Sequence, residues 1–183
     1  MKKLFVAAAL LVAGFSLNAQ TYLTKAGQIT FFSTTSAEDI KATNNEAVST
    51  LDAKTGAYNF SVLVKGFIFP KALMQEHFNG DQYMNSTKFP KSDFKGTVDK
   101  VSKVNFKKDG VYKVTVTGDL TMHGITKKVT APGTITVAGG KVTANSVFKI
   151  NRTDYGVTIP DMAKGKIAES LEITVNAAYE EAK

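Results

Sequence analysis

The chain has 183 residues and no cysteine, so disulfides, thiolate catalysis and cysteine-bound metals are all excluded. Its 23 Lys and Arg residues outnumber 16 Asp and Glu residues, and the net charge of +7 first suggests a nucleic-acid partner. Arg152 is the single arginine, however, and most lysines stand at polar positions of predicted strands, where charge keeps a sheet soluble. We therefore expect no nucleic-acid binding.

The first 19 residues predict a secretory signal peptide. A basic start, Lys2-Lys3, precedes an apolar run over residues 4–17, and Ala19 supplies a small residue for cleavage. The apolar run is too short, and wrongly flanked, for a membrane anchor. We expect cleavage after Ala19, which leaves a domain of residues 20–183 with 21 Lys and Arg against 16 Asp and Glu. We expect this domain in the periplasm, with secretion from the cell as the alternative.

Alternating apolar and polar residues predict strands along most of the remaining chain. Residues 27–34 indicate an early strand, whereas residues 37–52 are ambiguous because Asn44-Asn45 is either a turn or part of a bulged strand. The parity of the apolar positions then shifts after Gly66, and a glycine at such a shift predicts a β-bulge. Further strands are predicted at residues 58–64, 94–98, 112–122, 134–137, 142–150 and 171–179.

The strand over residues 112–122 has the clearest pattern, with apolar residues or glycine at its even-numbered positions. We expect those positions to face the interior of the protein. The connection to the next strand is expected at Gly124 and residues 126–128, and residues 151–160 are expected to form a loop. Tight hairpin turns are predicted at two dipeptides, Asp109-Gly110 and Gly139-Gly140.

Residues 70–78 form the one predicted helix. Pro70 suits its first turn, and Asn79-Gly80 supplies its end. Two pairs of side chains four residues apart form neighbouring stripes on this helix, Leu73 with His77 and Met74 with Phe78.

Roughly eight strands at hairpin spacing, with one inserted helix, predict an all-β protein built as a sandwich or an antiparallel barrel. An eight-stranded barrel has room inside for side chains or for one small ligand. Small residues on the apolar faces fit a cavity, and they also fit a tapered, packed barrel. The helix is expected across one end of the barrel, as a lid or wall for an apolar ligand or as a plain core plug.

Few residues suggest catalysis or metal binding. His77 follows Glu76 and His123 lies far away in sequence, so the spacing of a zinc site is missing. No serine stands in the nucleophile motif of α/β-hydrolases. His123 is either a polar residue that closes a strand end or a catalytic base. We predict no catalytic residue, no metal and no cofactor.

Residues 151–156 (NRTDYG) combine Arg152, a carboxylate and an aromatic residue directly after a predicted strand. One interpretation is an ion pair between Arg152 and Asp154 that fixes the loop. The alternative is that Arg152 meets an anionic lipid head group at the mouth of the barrel.

Four segments together resemble the YceI-like lipid/polyisoprenoid-binding family: residues 66–84 (GFIFPKALMQEHFNGDQYM), 88–96 (KFPKSDFKG), 118–128 (GDLTMHGITKK) and 148–156 (FKINRTDYG). The resemblance implies an extended lipocalin-like barrel of eight antiparallel strands, exported to the periplasm, with a long isoprenoid chain in its pore. It implies binding, storage or transport, without established catalysis. Many members open with a His-Ser pair and a second histidine, where this chain has QITFFSTTS at residues 28–36. If those histidines contact the ligand in relatives, this protein binds differently or binds another lipid.

The expected partner is an isoprenoid or another long-chain lipid, with transient contact to a membrane surface. Two other functions compete with lipid binding: an enzyme that acts on a lipid-like substrate in the cavity, and a stress-protective structural protein with a packed core. The residues predicted to contact the lipid are Phe67, Phe69, Met74, His77, Phe78, Leu120, Met122, His123, Phe148, Arg152, Asp154 and Tyr155.

Overall fold

The computed structural model describes residues 20–182, in which eight antiparallel strands close into a barrel in chain order. The first strand pairs with both the second and the eighth, so the sheet has no open edge. The predicted signal peptide, residues 1–19, lies outside the described residues. The strands are β1 (Thr21–Thr34), β2 (Asp39–Asp52), β3 (Ala57–Leu63), β4 (Lys91–Val98), β5 (Gly110–Met122), β6 (Ile125–Ala138), β7 (Lys141–Asn151) and β8 (Ser170–Glu181), and helix α1 (Ala72–Asn79) lies between β3 and β4.

The connections alternate between the two ends of the barrel because successive strands are antiparallel. The helix end carries the β1–β2 turn, the long β3–β4 connection with α1, the β5–β6 turn and the β7–β8 connection of residues 152–169. The opposite end is closed by residues 99–109, where Val101 and Val104 are buried. There Phe106 stacks on Tyr22 with their ring centroids 5.3 Å apart. We call this the closed end.

The even-numbered residues of β5 face the interior, as predicted. Val114, Val116, Leu120 and Met122 line the space inside the barrel, whereas Thr115 is exposed. In the middle of this strand Gly118 pairs with Gly96 of β4, and the Phe94 ring packs over both glycines. A Cβ atom on Gly118 would lie 2.6 Å from a carbon of that ring, so the close approach requires glycine.

Asn44 and Asn45 lie inside strand β2, which confirms the bulged-strand interpretation. Gly27 pairs with Ala47 and Ile29 with Asn44, so β2 carries one residue more than β1 across this step. The buried Asn44 side chain donates a hydrogen bond to the Leu63 carbonyl oxygen at 3.0 Å. This side chain thereby joins β2 to the end of β3.

The predicted β-bulge at Gly66 is wrong. Strand β3 ends at Leu63, and residues 64–66 form a turn of 3₁₀ helix. A Cβ atom on Gly66 would collide with the amide nitrogen of Asn44. The glycine therefore reflects close packing against Asn44 rather than a bulge.

Two of the predicted turns are placed differently. Asp109-Gly110 is not a hairpin turn: the β4–β5 connection spans residues 99–109, and Asp109 accepts a hydrogen bond from the Gly139 amide at 3.0 Å.

The β5–β6 turn is His123-Gly124, with φ of 51° and 77°, as a two-residue type I′ turn requires. Residues 126–128 therefore belong to β6. The predicted Gly139-Gly140 hairpin is confirmed, with φ of 54° and 76°.

Helix α1 begins two residues later than predicted. Lys71, its N-terminal cap, has extended backbone angles, so Pro70 precedes the helix instead of starting it. Gly80 caps the other end with φ of −67°, so its role there does not depend on the left-handed conformation. In the described part of the chain, no helix has the length and apolar character that a membrane crossing requires.

Candidate functional site

A cavity of about 550 Å³ occupies the barrel interior between α1 and the closed end. Its volume falls within the range of about 300–1,000 Å³ that is typical of small-molecule sites. Inward-facing aromatic and aliphatic side chains of the strands form most of its wall, because period-2 alternation places them all on one face of the sheet. The interior is therefore an open apolar chamber rather than a fully packed core.

Nine of the twelve predicted ligand-contacting residues line this cavity. They come from the β3–β4 connection, β5, β7 and the start of the β7–β8 connection, which the fold brings together at the helix end. The nine residues are Phe67, Phe69, Met74, His77, Phe78, Leu120, Met122, Phe148 and Arg152.

An aromatic cluster attaches α1 to the barrel. Phe31 of β1 lies within contact of Phe67, Phe69 and Phe78, with ring centroids 5.6, 5.7 and 5.5 Å away. Phe69 and Phe78 also contact each other, at 5.0 Å. Phe31 was not predicted as a site residue, although its alternation with Ile29 and Ser33 signals that it faces inward.

Apart from this aromatic contact, α1 lies lightly on the barrel. None of its eight residues is buried. Met74 is half-buried, and Leu73, 61% exposed, lies at the opening of the cavity. His77 stacks on Tyr83 with nearly parallel rings, 6.1 Å between centroids. The helix therefore covers the cavity without a fully buried side chain of its own.

Arg152 fixes the β7–β8 connection, but not through Asp154. Its Nη1 atom donates to the Val157 carbonyl oxygen at 2.8 Å, and Nε donates to the Ala168 carbonyl oxygen at 3.3 Å. Asp154 is exposed and makes no ion pair with Arg152, so the interpretation of the loop as fixed by this pair is wrong. Backbone carbonyls take its place, because the turn of 3₁₀ helix over residues 152–155 and the chain beyond it wrap around the guanidinium group. The hydrogen bonds use two of the five guanidinium donors, and Arg152 also lines the cavity.

Three predicted site residues, His123, Asp154 and Tyr155, do not line the cavity. Tyr155 is 2% exposed and packs in a small core beside Val64 and Ile150. Burial, and secondarily the negative charge of Asp154, raise the pKa of Tyr155 to about 12.

His123 supports a turn rather than the cavity. Its Nδ1 atom lies 3.1 Å from the Tyr155 carbonyl oxygen, and its ring contacts the Phe89 ring at 4.4 Å between centroids. The first contact holds the β5–β6 turn against the β7–β8 connection, and the second holds it against the β3–β4 connection. They correspond to the predicted polar residue at a strand end.

Charged residues at the cavity are concentrated at the helix end. Lys71 and Lys166 lie at the opening, and Lys71 pairs with Glu38 at 3.6 Å. Within residues 20–182, no group of three His, Asp, Glu or Cys side chains is arranged to hold a metal ion.

Solved structures with the same fold come from several bacteria. A polyisoprenoid binding domain from Saccharophagus degradans, implicated in plant cell wall breakdown, superposes with a TM-score of 0.76 at 11% identity, over 90% of this chain and 99% of that one. BcnA of Burkholderia cenocepacia gives 0.68 at 19% identity, over 84% and 96% of the two chains. The YCEI protein of Campylobacter jejuni gives 0.59 at 16% identity, over 100% and 99%. At these identities the likeness shows the fold.

Sequence comparison gives the family. A UPF0312 protein of Pseudomonas putida (strain GB-1) is 27% identical over 107 residues, which is 55% of this chain and 50% of that protein. The match thus spans about half the length of this curated relative. The family model of the YceI-like domain matches residues 14–179, nearly the whole chain. The chain belongs to the YceI-like family, as its motifs predicted.

Proposed function

We propose that this protein binds a long isoprenoid or a related apolar lipid inside its barrel. The observation that carries the proposal is the cavity of about 550 Å³, whose wall consists mostly of aromatic and aliphatic side chains. The fold shared with the polyisoprenoid binding domain of Saccharophagus degradans supports the same ligand class. An open cavity of this size argues against the competing function of a structural protein with a packed core.

Binding fits the site better than catalysis does. His77 is exposed and stacks on Tyr83, while His123 lies outside the cavity wall and contacts the Tyr155 backbone. Neither histidine is therefore hydrogen-bonded to a serine or a carboxylate in the described part of the chain. We propose a binding protein, with α1 as the lid over the lipid.

Storage or transport is the role we propose for this binding. At about 0.8 kcal/mol per buried CH₂ group, one five-carbon isoprene unit contributes ~4 kcal/mol before the costs of ordering. Eight buried units would exceed the practical affinity ceiling of roughly −20 kcal/mol. A long chain is thus partly exposed or loses much of this gain to ordering, and either case permits the release that a carrier needs.

We propose that the protein works in the periplasm after export. There, the opening of the cavity suits contact with a membrane surface. Leu73 and Met162 line the opening and are 61% and 83% exposed, and Ile68 of the same connection as Leu73 is 59% exposed. Lys71 and Lys166 lie at the same opening. Apolar side chains with lysines beside them match the interface of an anionic bilayer, from which a lipid would enter.

The proposal is tested by equilibrium binding of a radiolabelled forty-carbon polyprenol to delipidated protein. We expect saturable binding of one polyprenol per protein, and no binding to protein unfolded in urea. Lack of saturable uptake by folded, delipidated protein would reject the proposed function.

A further inference from the structure

Three hydroxyl groups lie together near the closed end of the barrel, far from the charged residues at the opening. They belong to inward-facing residues of three strands: Ser49 of β2, Tyr58 of β3 and Tyr179 of β8. Ser49 and Tyr179 are buried, 1% and 6% exposed. Tyr58 is the member of this hydroxyl cluster that lines the cavity, beside Leu51 and Val98.

The hydrogen bonds of the cluster run in one direction. The Ser49 hydroxyl donates to the Asn59 carbonyl oxygen at 2.8 Å and lies 2.7 Å from the Tyr179 hydroxyl. Because a serine hydroxyl has a single hydrogen, Tyr179 must donate to Ser49. The Tyr58 hydroxyl lies beside both groups: burial is the main cause that raises the pKa of Tyr58, and the neighbouring Tyr179 and Ser49 hydroxyls partly offset this effect. Tyr58 therefore ends a chain of hydroxyls at the cavity.

The surroundings of the Tyr58 hydroxyl favour a neutral partner. The cationic or basic residues that line the described cavity, Lys71, His77, Arg152 and Lys166, all lie on the helix-end connections. A phosphate or carboxylate next to Tyr58 would be buried without a counter-charge, at a large cost in free energy. Both buried phenols of the cluster have raised pKa values, mainly because of burial, so both remain protonated at neutral pH.

We propose that Tyr58, supported by Tyr179 and Ser49, is a subsite for a neutral oxygen group, a hydroxyl or a carbonyl, at one end of the bound lipid. This inference rests on the proposed function and specifies its ligand class. The lipid lies with its neutral polar end at the closed end of the barrel and its hydrocarbon chain toward α1. The Tyr58 hydroxyl has one hydrogen: it accepts a hydrogen bond from a lipid hydroxyl when that hydrogen points to the cluster, and it donates to a lipid carbonyl when the hydrogen points into the cavity. Hydrogen bonds along the cluster strengthen this contact through mutual polarisation.

The test compares three forty-carbon probes: a polyprenol, the isoprenoid hydrocarbon that lacks its hydroxyl, and the polyprenyl monophosphate. We expect the delipidated wild-type protein to bind the polyprenol about three- to tenfold more tightly than the hydrocarbon, which is the usual worth of one hydrogen bond. The Tyr58→Phe variant is expected to lose this preference while its affinity for the hydrocarbon stays unchanged. Tyr112→Phe is the matched control, because the Tyr112 hydroxyl bonds the Lys108 carbonyl oxygen and Tyr112 does not line the cavity.

The outcomes separate this inference from the proposed function. Equal wild-type affinity for polyprenol and hydrocarbon would overturn the subsite and leave lipid binding intact, a result that does not depend on any variant folding. Tightest binding of the monophosphate would also overturn it, because the polar end would then belong with the cations at the opening. Equal weakening of all probes by Tyr58→Phe would mean that Tyr58 only packs against the chain. Failure of all three probes to bind would reject the proposed function itself.

Discussion

At the scale of single residues, the direction of the β5 side chains is the most consequential feature. Val116 faces the cavity, and its neighbour Thr115 is exposed. We expect Val116→Lys to unfold the protein or abolish lipid uptake, because an unpaired charge in an apolar interior is costly. Thr115→Lys is the matched control and should change the free energy of unfolding by less than about 0.5 kcal/mol. Thermal unfolding and polyprenol binding measure both variants. Similar behaviour of the two variants would contradict the assignment of Val116 to the inward face of β5.

Tyr155 makes the stability of the protein depend on pH in the alkaline range. Its pKa rises from an ordinary value of 10.0 to about 12 in the folded state, chiefly through burial. Folding thus favours the neutral form of Tyr155. The contribution of this residue to the free energy of unfolding is complete below pH 10 and is lost as the pH rises toward 12.

We expect the free energy of unfolding to fall less steeply between pH 10 and 12 in Tyr155→Phe than in the wild type. The measured quantity is the difference between the two proteins in urea titrations at each pH, because effects common to both proteins cancel. Parallel curves for the two proteins would show that Tyr155 titrates normally.

The role of a residue was predictable from the sequence where the alternation of apolar and polar residues decides which side chains face inward. The pattern of β5 gave the inward positions, and the apolar residues around the predicted helix proved to line the cavity. The role of Arg152 was not predictable, since its partners are backbone carbonyls that the folding of residues 152–169 brings to it. Ser49, Tyr58 and Tyr179 meet through the pairing of distant strands, so the hydroxyl cluster has no local signature in the sequence.

At the scale of elements, α1 is the proposed lid over the cavity. Its contact with the barrel runs mainly through Phe78, and Met74 is half-buried over the cavity. Methionine adapts to irregular apolar shapes, which suits contact with a chain ligand.

We expect Met74→Ala to weaken polyprenol binding while the melting temperature of the lipid-free protein barely moves. A core plug would instead lose about 2–5 kcal/mol of stability from the cavity left by the side chain. Glu76→Ala, an exposed position of the same helix that does not line the cavity, is the control and should change neither property. A large decrease in melting temperature with unchanged lipid binding would reject the role of α1 as a lid.

The existence of the elements was easier to predict than their ends. Seven of the eight strands and α1 were predicted, residues 37–52 were left ambiguous, and two turns were misplaced. His123-Gly124 was missed because non-glycine residues seldom adopt the left-handed conformation, and contacts with Phe89 and Tyr155 stabilise His123 there. The Asp109-Gly110 signal was misleading because Asp109 bonds a neighbouring turn instead.

At the scale of the whole molecule, closure at one end of the barrel leaves the helix end for the proposed entry and release of lipid. Val101, Val104 and Phe106 fill the closed end, and the exposed apolar residues Leu73 and Met162 surround the opening. The sequence predicted a barrel, but it did not show which end is closed, because residues 99–109 carry no strong secondary-structure signal.

We expect the Leu73→Glu, Met162→Glu double variant to slow transfer of polyprenol from anionic vesicles. Both substitutions place a negative charge where the proposed interface meets an anionic surface. Val111→Glu is the control, since Val111 is 69% exposed on β5 near the closed end. Transfer is measured between labelled donor vesicles and protein at low ionic strength. Equal slowing by the control would argue against docking through the opening.

Lipid binding after export is the central claim, and native mass spectrometry of the protein purified from its own host tests it most directly. We predict the intact mass of residues 20–183 together with the mass of one co-purifying lipid, which organic extraction then releases. A protein that carries no lipid and takes up no added polyprenol would contradict the account.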